Sequence, residues 1–273
     1  YRGSQISNIV VNGLGGSAIG ADLLRSYLAQ DLAVPFIVNR HYFLPEFVDD
    51  ASLVIISSYS GDTEETIAAH LEATRRRAKV LCISSNGETE RMAKKFRQPI
   101  ITVPKGFPPR AALGYSFFPL LVALAKMGLV KSRETAVKET IALLKKKSLI
   151  YSRMNRQNPA LRLAQQLHAK LPIIYSSADR FDVVNLRWRG QLAENAKVLA
   201  FGHVLPEMNH NELVGWNVLR RVMDESVAIF LRDPGDNPRV AIRMNITKEI
   251  VGRHAASVIE VRSEGRSLLA RMF

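Results

Sequence analysis

The feature that most constrains this chain is an alternation of short, β-branched apolar runs with stretches of helical spacing. Ile6 to Val11, Val34 to Val38, Leu53 to Ser57, Val80 to Ser84 and Pro99 to Val103 are such runs. Amphipathic segments separate several of them, as in the pattern Ala18, Ile19, Leu23, Leu24, Leu28. Strands that are apolar throughout are buried on both faces, and parallel neighbours are joined by crossovers that are usually helical. The alternation therefore predicts an α/β fold with a mainly parallel sheet and helices on both of its faces.

The alternation breaks once. After Pro108-Pro109-Arg110, the segments Ala111 to Met127 and Ser132 to Tyr151 are helix-length with no strand between them. A second series then follows: a helix from Asn158-Pro159 to His168, Pro172 to Ser176, a helix from Phe181 to Asn195, Val198 to Phe201, Val227 to Leu231, a helix from Arg239 to Gly252, and Ser257 to Val261. This predicts two domains of one architecture, residues 1–128 and 158–273, joined by a helical linker over 129–157. The sequence opens on Tyr1 rather than methionine, and Leu268 to Phe273 falls inside an apolar helical pattern, so both ends are expected to be incomplete.

Composition excludes several classes. The longest apolar runs, such as Leu120 to Ala125, fall far short of the roughly 20 residues of a membrane span. No apolar signal core follows Tyr1, and a lone Cys82 suits a reducing, cytoplasmic setting. Lys and Arg number 38 against 25 Asp and Glu, a net charge of +13. The clusters Arg75-Arg76-Arg77, Lys145-Lys146-Lys147 and Arg220-Arg221 lack interleaved aromatic residues, so an anionic small molecule is expected rather than nucleic acid.

Two loops have the composition of anion sites. Ser58-Tyr59-Ser60-Gly61-Asp62-Thr63-Glu64-Glu65-Thr66 follows a strand and opens a helix. Its hydroxyls can donate to an anion, Gly61 permits close approach, and the helix start offers unpaired N–H groups. It carries no lysine and so is not the common nucleotide loop. Asp62 with Glu65 has capping-box spacing, and Asn86 marks another helix start. Gly13-Leu14-Gly15-Gly16-Ser17-Ala18 matches the loose dinucleotide pattern, which keeps an NADP-dependent oxidoreductase open, with Arg40 in the place where an acidic residue would read NAD. Glycines needed only for a tight turn explain the same letters.

Acid–base candidates lie further on. Glu194, in Glu194-Asn195-Ala196-Lys197, closes a helix, and His210 lies in the polar loop Asn209-His210-Asn211-Glu212. A carboxylate base and a proton donor active near neutrality suit proton transfer beside a carbonyl. His203, His210 and His254 have no metal-ligand spacing, so neither metal nor cofactor is expected.

These segments, together with Pro109-Arg110-Ala111-Ala112-Leu113, resemble the bifunctional phosphoglucose/phosphomannose isomerase family, built from two sugar isomerase (SIS) domains. The resemblance implies an aldose–ketose isomerase acting on glucose 6-phosphate, mannose 6-phosphate or both, with fructose 6-phosphate as the ketose. It implies that Gly16 and Ser17 line the sugar, that Ser58, Ser60 and Thr63 hold its phosphate, and that Arg110 lies over the reacting carbons. Glu194 would be the base that moves a proton between C1 and C2, and His210 the group that opens the ring. The family further implies a cytoplasmic homodimer with His210 contributed across the interface. Two departures stand out: Asp62 replaces the family's usual asparagine, and the family's C-terminal lysine has no match before Phe273. A non-catalytic SIS regulator remains the alternative, and a ketose amidotransferase domain would need a glutaminase partner.

Overall fold

The computed structural model describes residues 1–273, the side chain of Pro109 excepted. It divides into two compact units, Tyr1–Ser132 and Arg133–Phe273.

In the N-terminal unit the strands are β1 (Asn8–Asn12), β2 (Phe36–Asn39), β3 (Ser52–Ser58), β4 (Lys79–Ser84) and β5 (Ile100–Thr102), in the order β2-β1-β3-β4-β5. Every pairing is parallel. β1 and β3 are buried along their whole length, as strands covered on both faces must be. The helices are α1 (Gly15–Tyr27), α2 (Glu64–Arg75), α3 (Gly87–Lys95) and α4 (Leu113–Lys126), and α4 packs on α1. From β1 the chain steps outward through α1 to β2; from β3 it steps the opposite way through α2 and α3. The sense of winding reverses between β1 and β3, which opens a crevice beyond their carboxyl ends.

The C-terminal unit begins with α5 (Glu134–Tyr151) and α6 (Pro159–Leu167). Asn158 Oδ1 accepts from the N–H groups of Ala160 and Leu161 at 2.9 and 3.3 Å, with Pro159 in the first turn, as the Asn-Pro pair predicts. Then come β6 (Leu171–Ser177), α7 (Asp182–Gln191), β7 (Phe201–Leu205), α8 (Met208–Asn211), α9 (Arg220–Met223), β8 (Ser226–Arg232), α10 (Pro238–Val251), β9 (Ser257–Arg262) and α11 (Leu268–Met272). The sheet is again parallel, in the order β7-β6-β8-β9, and its winding reverses between β6 and β8. The strand expected over Val198 to Phe201 lies instead at Phe201–Leu205. α7 runs into a π-helical turn, Leu192–Ala196, and the Val198 N–H closes that turn on the Leu192 carbonyl, so 198–200 is spent leaving it.

Among the described residues no helix is long and apolar enough to cross a membrane.

Candidate active site

The glycine and hydroxyl loops both open onto the N-terminal crevice, and hydrogen bonds tie them together. The Ser17 hydroxyl accepts from the Tyr59 N–H at 3.0 Å, and the Ser57 hydroxyl donates to the Ser17 carbonyl at 3.2 Å. Gly13 is required by this contact, because a Cβ there would lie 2.7 Å from the Ser57 carbonyl. Gly16 is fixed from the other side, its carbonyl accepting from the Ser116 hydroxyl of α4 at 3.0 Å.

Within the hydroxyl loop, the Ser58 hydroxyl accepts from the Gly61 N–H at 3.1 Å and donates to Thr63 Oγ1 at 3.3 Å. The Ser60 hydroxyl accepts from the Asp62 N–H at 3.4 Å. Gly61 has φ +80, and a Cβ there would collide with the Asn86 carbonyl. The loop is therefore set by its own contacts, with Ser60 exposed and Thr63 half-buried at the start of α2. Thr63 makes no side-chain capping bond to that helix.

Asp62 is not the cap of α2 that its spacing with Glu65 predicts. Its Oδ1 accepts the Glu88 N–H at 2.8 Å, so the carboxylate caps the next helix, α3. Asn86, expected to start α3, occupies the capping position without a side-chain capping bond. Gly87, at φ +75, lies so close that a Cβ would be 2.6 Å from Asp62 Oδ1, and Asn86 Oδ1 accepts instead from the Ser85 hydroxyl at 3.0 Å.

Tyr59 contributes something the sequence pattern did not flag. Its hydroxyl donates to the Pro104 carbonyl at 2.8 Å and accepts from the Phe107 N–H at 3.0 Å, which tethers the segment leading to Arg110. Arg110 is exposed in the 3₁₀ turn Pro109–Ala111, which packs on α1. The structure thus groups Gly16, Ser17, Ser58, Ser60, Thr63 and the Arg110 turn around one sheet edge.

Glu194 and His210 both belong to the C-terminal unit, on separate elements. Glu194 is exposed on the π-helical turn before β7; His210 is exposed on α8 after β7. The five residues of β7 lie between them in the chain. The turn at Glu194 is held by Lys197, in the left-handed region with φ 58, whose Nζ donates to the Glu194 carbonyl at 2.7 Å. Burial pulls the Arg187 guanidinium below its usual range while the Glu194 charge opposes that shift.

Cys82 is buried in β4, where burial pushes its thiol up to about 12. Among the described residues no group of three His, Cys, Asp or Glu side chains is placed to hold a metal ion.

Along its whole length the chain is 42% identical to the bifunctional phosphoglucose/phosphomannose isomerase of Caldicellulosiruptor bescii, covering 81% of that protein. The chain belongs to the bifunctional phosphoglucose/phosphomannose isomerase family. The enzyme of that name from Aquifex aeolicus is 36% identical over 96% of the chain and 78% of its own length. Residues 156–273 match the bacterial phospho-glucose isomerase C-terminal SIS domain. The fold is also that of a hypothetical protein from Thermus thermophilus, with a TM-score of 0.73, 16% identity, and coverage of 98% of this chain and 75% of the other.

Proposed function

We propose that this chain interconverts aldose and ketose 6-phosphates, taking glucose 6-phosphate, mannose 6-phosphate or both to fructose 6-phosphate in the cytoplasm. The carrying observation is 42% identity, along the whole chain, to an enzyme with both activities in its name. In this reading the hydroxyls of Ser58, Ser60 and Thr63 and the N-terminus of α2 hold the phosphate, while Gly16 and Ser17 line the sugar. Anchoring a non-reacting end orients the reacting one.

The reaction is internally balanced. Glu194 takes the proton from C2, electrons shift to give an enediolate, and the proton returns to C1 as that carbon ceases to be a carbonyl. The O2 proton passes to O1, and C2 becomes the carbonyl. No electron leaves the substrate, so the step calls for no redox cofactor. Arg110 stabilises the developing oxyanion, and His210 opens the ring beforehand. Because the planar enediol has lost its configuration at C2, both epimeric aldoses lead to one ketose.

The enzyme acts as a homodimer, with His210 supplied by the second copy. The placement of Glu194 and His210 on separate exposed turns, one before β7 and one after it, supports this arrangement. A coupled assay offering each aldose 6-phosphate to the full-length protein tests the function: turnover that is lost in Glu194→Gln supports it. Binding of both sugar phosphates with no turnover would replace it with a sugar-phosphate sensor.

A further inference from the structure

We propose that Tyr175 and Thr247 are positioning residues for His210, acting through its chain neighbours Glu212 and Asn209. The inference rests on the reading of His210 as the ring-opening group. His210 rides on a helix of only four residues, Met208–Asn211, far too short to hold its own shape. Its position must therefore be imposed from outside, and three contacts impose it.

Met208 is fully buried in the core with Leu205, Trp216, Phe230, Val240 and Met244. One residue on, Asn209 Nδ2 donates to Thr247 Oγ1 of α10 at 2.8 Å, and Thr247 is itself buried. Two residues beyond His210, Glu212 Oε1 accepts the Tyr175 hydroxyl at 2.5 Å. Trp216 Nε1 donates to that same hydroxyl at 2.9 Å, completing its hydrogen bonding. His210 thus stands exposed in a short segment whose side chains on either side are anchored on α10 and β6.

Packing alone does not account for Tyr175. It is fully buried on the central strand pair of its sheet, with ring centroids 5.4 Å from Phe230 and 6.4 Å from Trp216. A phenylalanine would fill that space without a hydroxyl to satisfy. Burial and the Glu212 carboxylate both push the Tyr175 phenol upward, so it remains a proton donor toward Glu212 across the working pH range.

The test uses the full chain with the near-isosteric substitutions Tyr175→Phe and Thr247→Val. Two readouts are taken: steady-state kinetics on glucose 6-phosphate, and the His210 ring resonance, assigned by its loss in His210→Ala. Each variant is expected to shift or broaden that resonance and to lower kcat about tenfold with KM within about twofold. Glu212→Gln, which keeps an acceptor for the phenol, is expected to retain most of the wild-type kcat, whereas Glu212→Ala is not. An unmoved His210 resonance in both folded variants overturns the proposal, whatever happens to kcat. Full turnover in His210→Ala would instead remove the ring-opening role, with the fastening of His210 still judged by the resonance. Should Tyr175→Phe fail to fold, Thr247→Val alone decides.

Discussion

The two sheets of this chain reverse their winding at equivalent places, yet their crevices are opposites. In the N-terminal unit the crevice between β1 and β3 presents hydroxyls and a helix start with no side-chain cap. In the C-terminal unit the crevice between β6 and β8 is filled by the chain's own carboxylates. Asp236 accepts from the Ser177 hydroxyl at 2.7 Å and from the Asp233 N–H at 3.0 Å, and burial pushes its carboxyl upward. Asp233 is wholly buried and is bound by Arg271 Nε at 2.6 and 3.2 Å and by the Ser263 hydroxyl at 3.1 Å. The following helix is self-capped, with Asn237 Oδ1 accepting from Arg239 at 2.9 Å and Pro238 removing an N–H. One architecture has thus been left with an uncapped helix start beside a hydroxyl loop in the first unit, the candidate anion site, and closed into an internally satisfied joint in the second. The C-terminal unit carries its acid–base candidates, Glu194 and His210, on the segments before and after β7 instead.

That division is open to attack, starting from its largest consequence. Glu194→Gln should lower kcat by about a thousandfold or more, the range of a lost general base, with KM nearly unchanged. Mixing it with an equally inactive His210→Ala should restore roughly a quarter of wild-type activity, because in a symmetric dimer with shared sites half the dimers are hybrids with one intact site. No recovery on mixing would mean that His210 does not cross to a second copy.

Next comes the closed crevice. Asp233→Ala strands a buried arginine, so chemical denaturation should show a loss of about 3 to 5 kcal/mol, with KM for the sugar phosphate unchanged if the protein remains folded. Ser60→Ala should do the reverse, leaving stability within about 0.5 kcal/mol at this exposed site. It should raise KM by about tenfold, the value of a hydrogen bond to a charged group.

Smaller still is Asp62→Asn. The amide keeps an oxygen acceptor for the Glu88 N–H, so stability should stay within about 0.5 kcal/mol, whereas Asp62→Ala should lose about 1 kcal/mol with the cap. Removing the charge should modestly tighten phosphate binding, as read by titration.

Acid should also distinguish the units. Burial depresses the His70 imidazole, although its bond to Gln98 at 2.6 Å opposes this. A group with a lowered folded pKa contributes stability that is present above the ordinary imidazole value and lost as pH falls below about 6.5. Hydrogen exchange in the N-terminal unit should therefore lose protection below that pH, and His70→Gln should flatten the loss. Asp236 works the other way: its folded pKa is raised, so its contribution improves as pH falls through that value.

The architecture was legible because parallel strands buried on both faces must be apolar throughout. β1, β3, β4, β6 and β8 all sit within about two residues of their apolar runs. β7 was displaced because Gly202 and His203 break its apolar signature, while Val198 and Leu199 imitate one. Asp62 deceived for another reason: capping-box spacing is local, and its true partner, Glu88, is 26 residues away. Tyr175 and Glu212 were invisible in their roles, since neither spacing nor composition pairs residues from a strand and a distant loop. A tyrosine inside a strand and a tryptophan nearby do hint that a buried hydroxyl needs a partner.

The asymmetry of the two crevices is tested most directly by calorimetric titration of inorganic phosphate into the full-length protein. One phosphate per chain is expected, lost or much weakened in the Ser58→Ala and Ser60→Ala variants and unaffected by Asp236→Asn. Two phosphates per chain, or one that survives both serine substitutions, would contradict the assignment of the anion site to the N-terminal crevice.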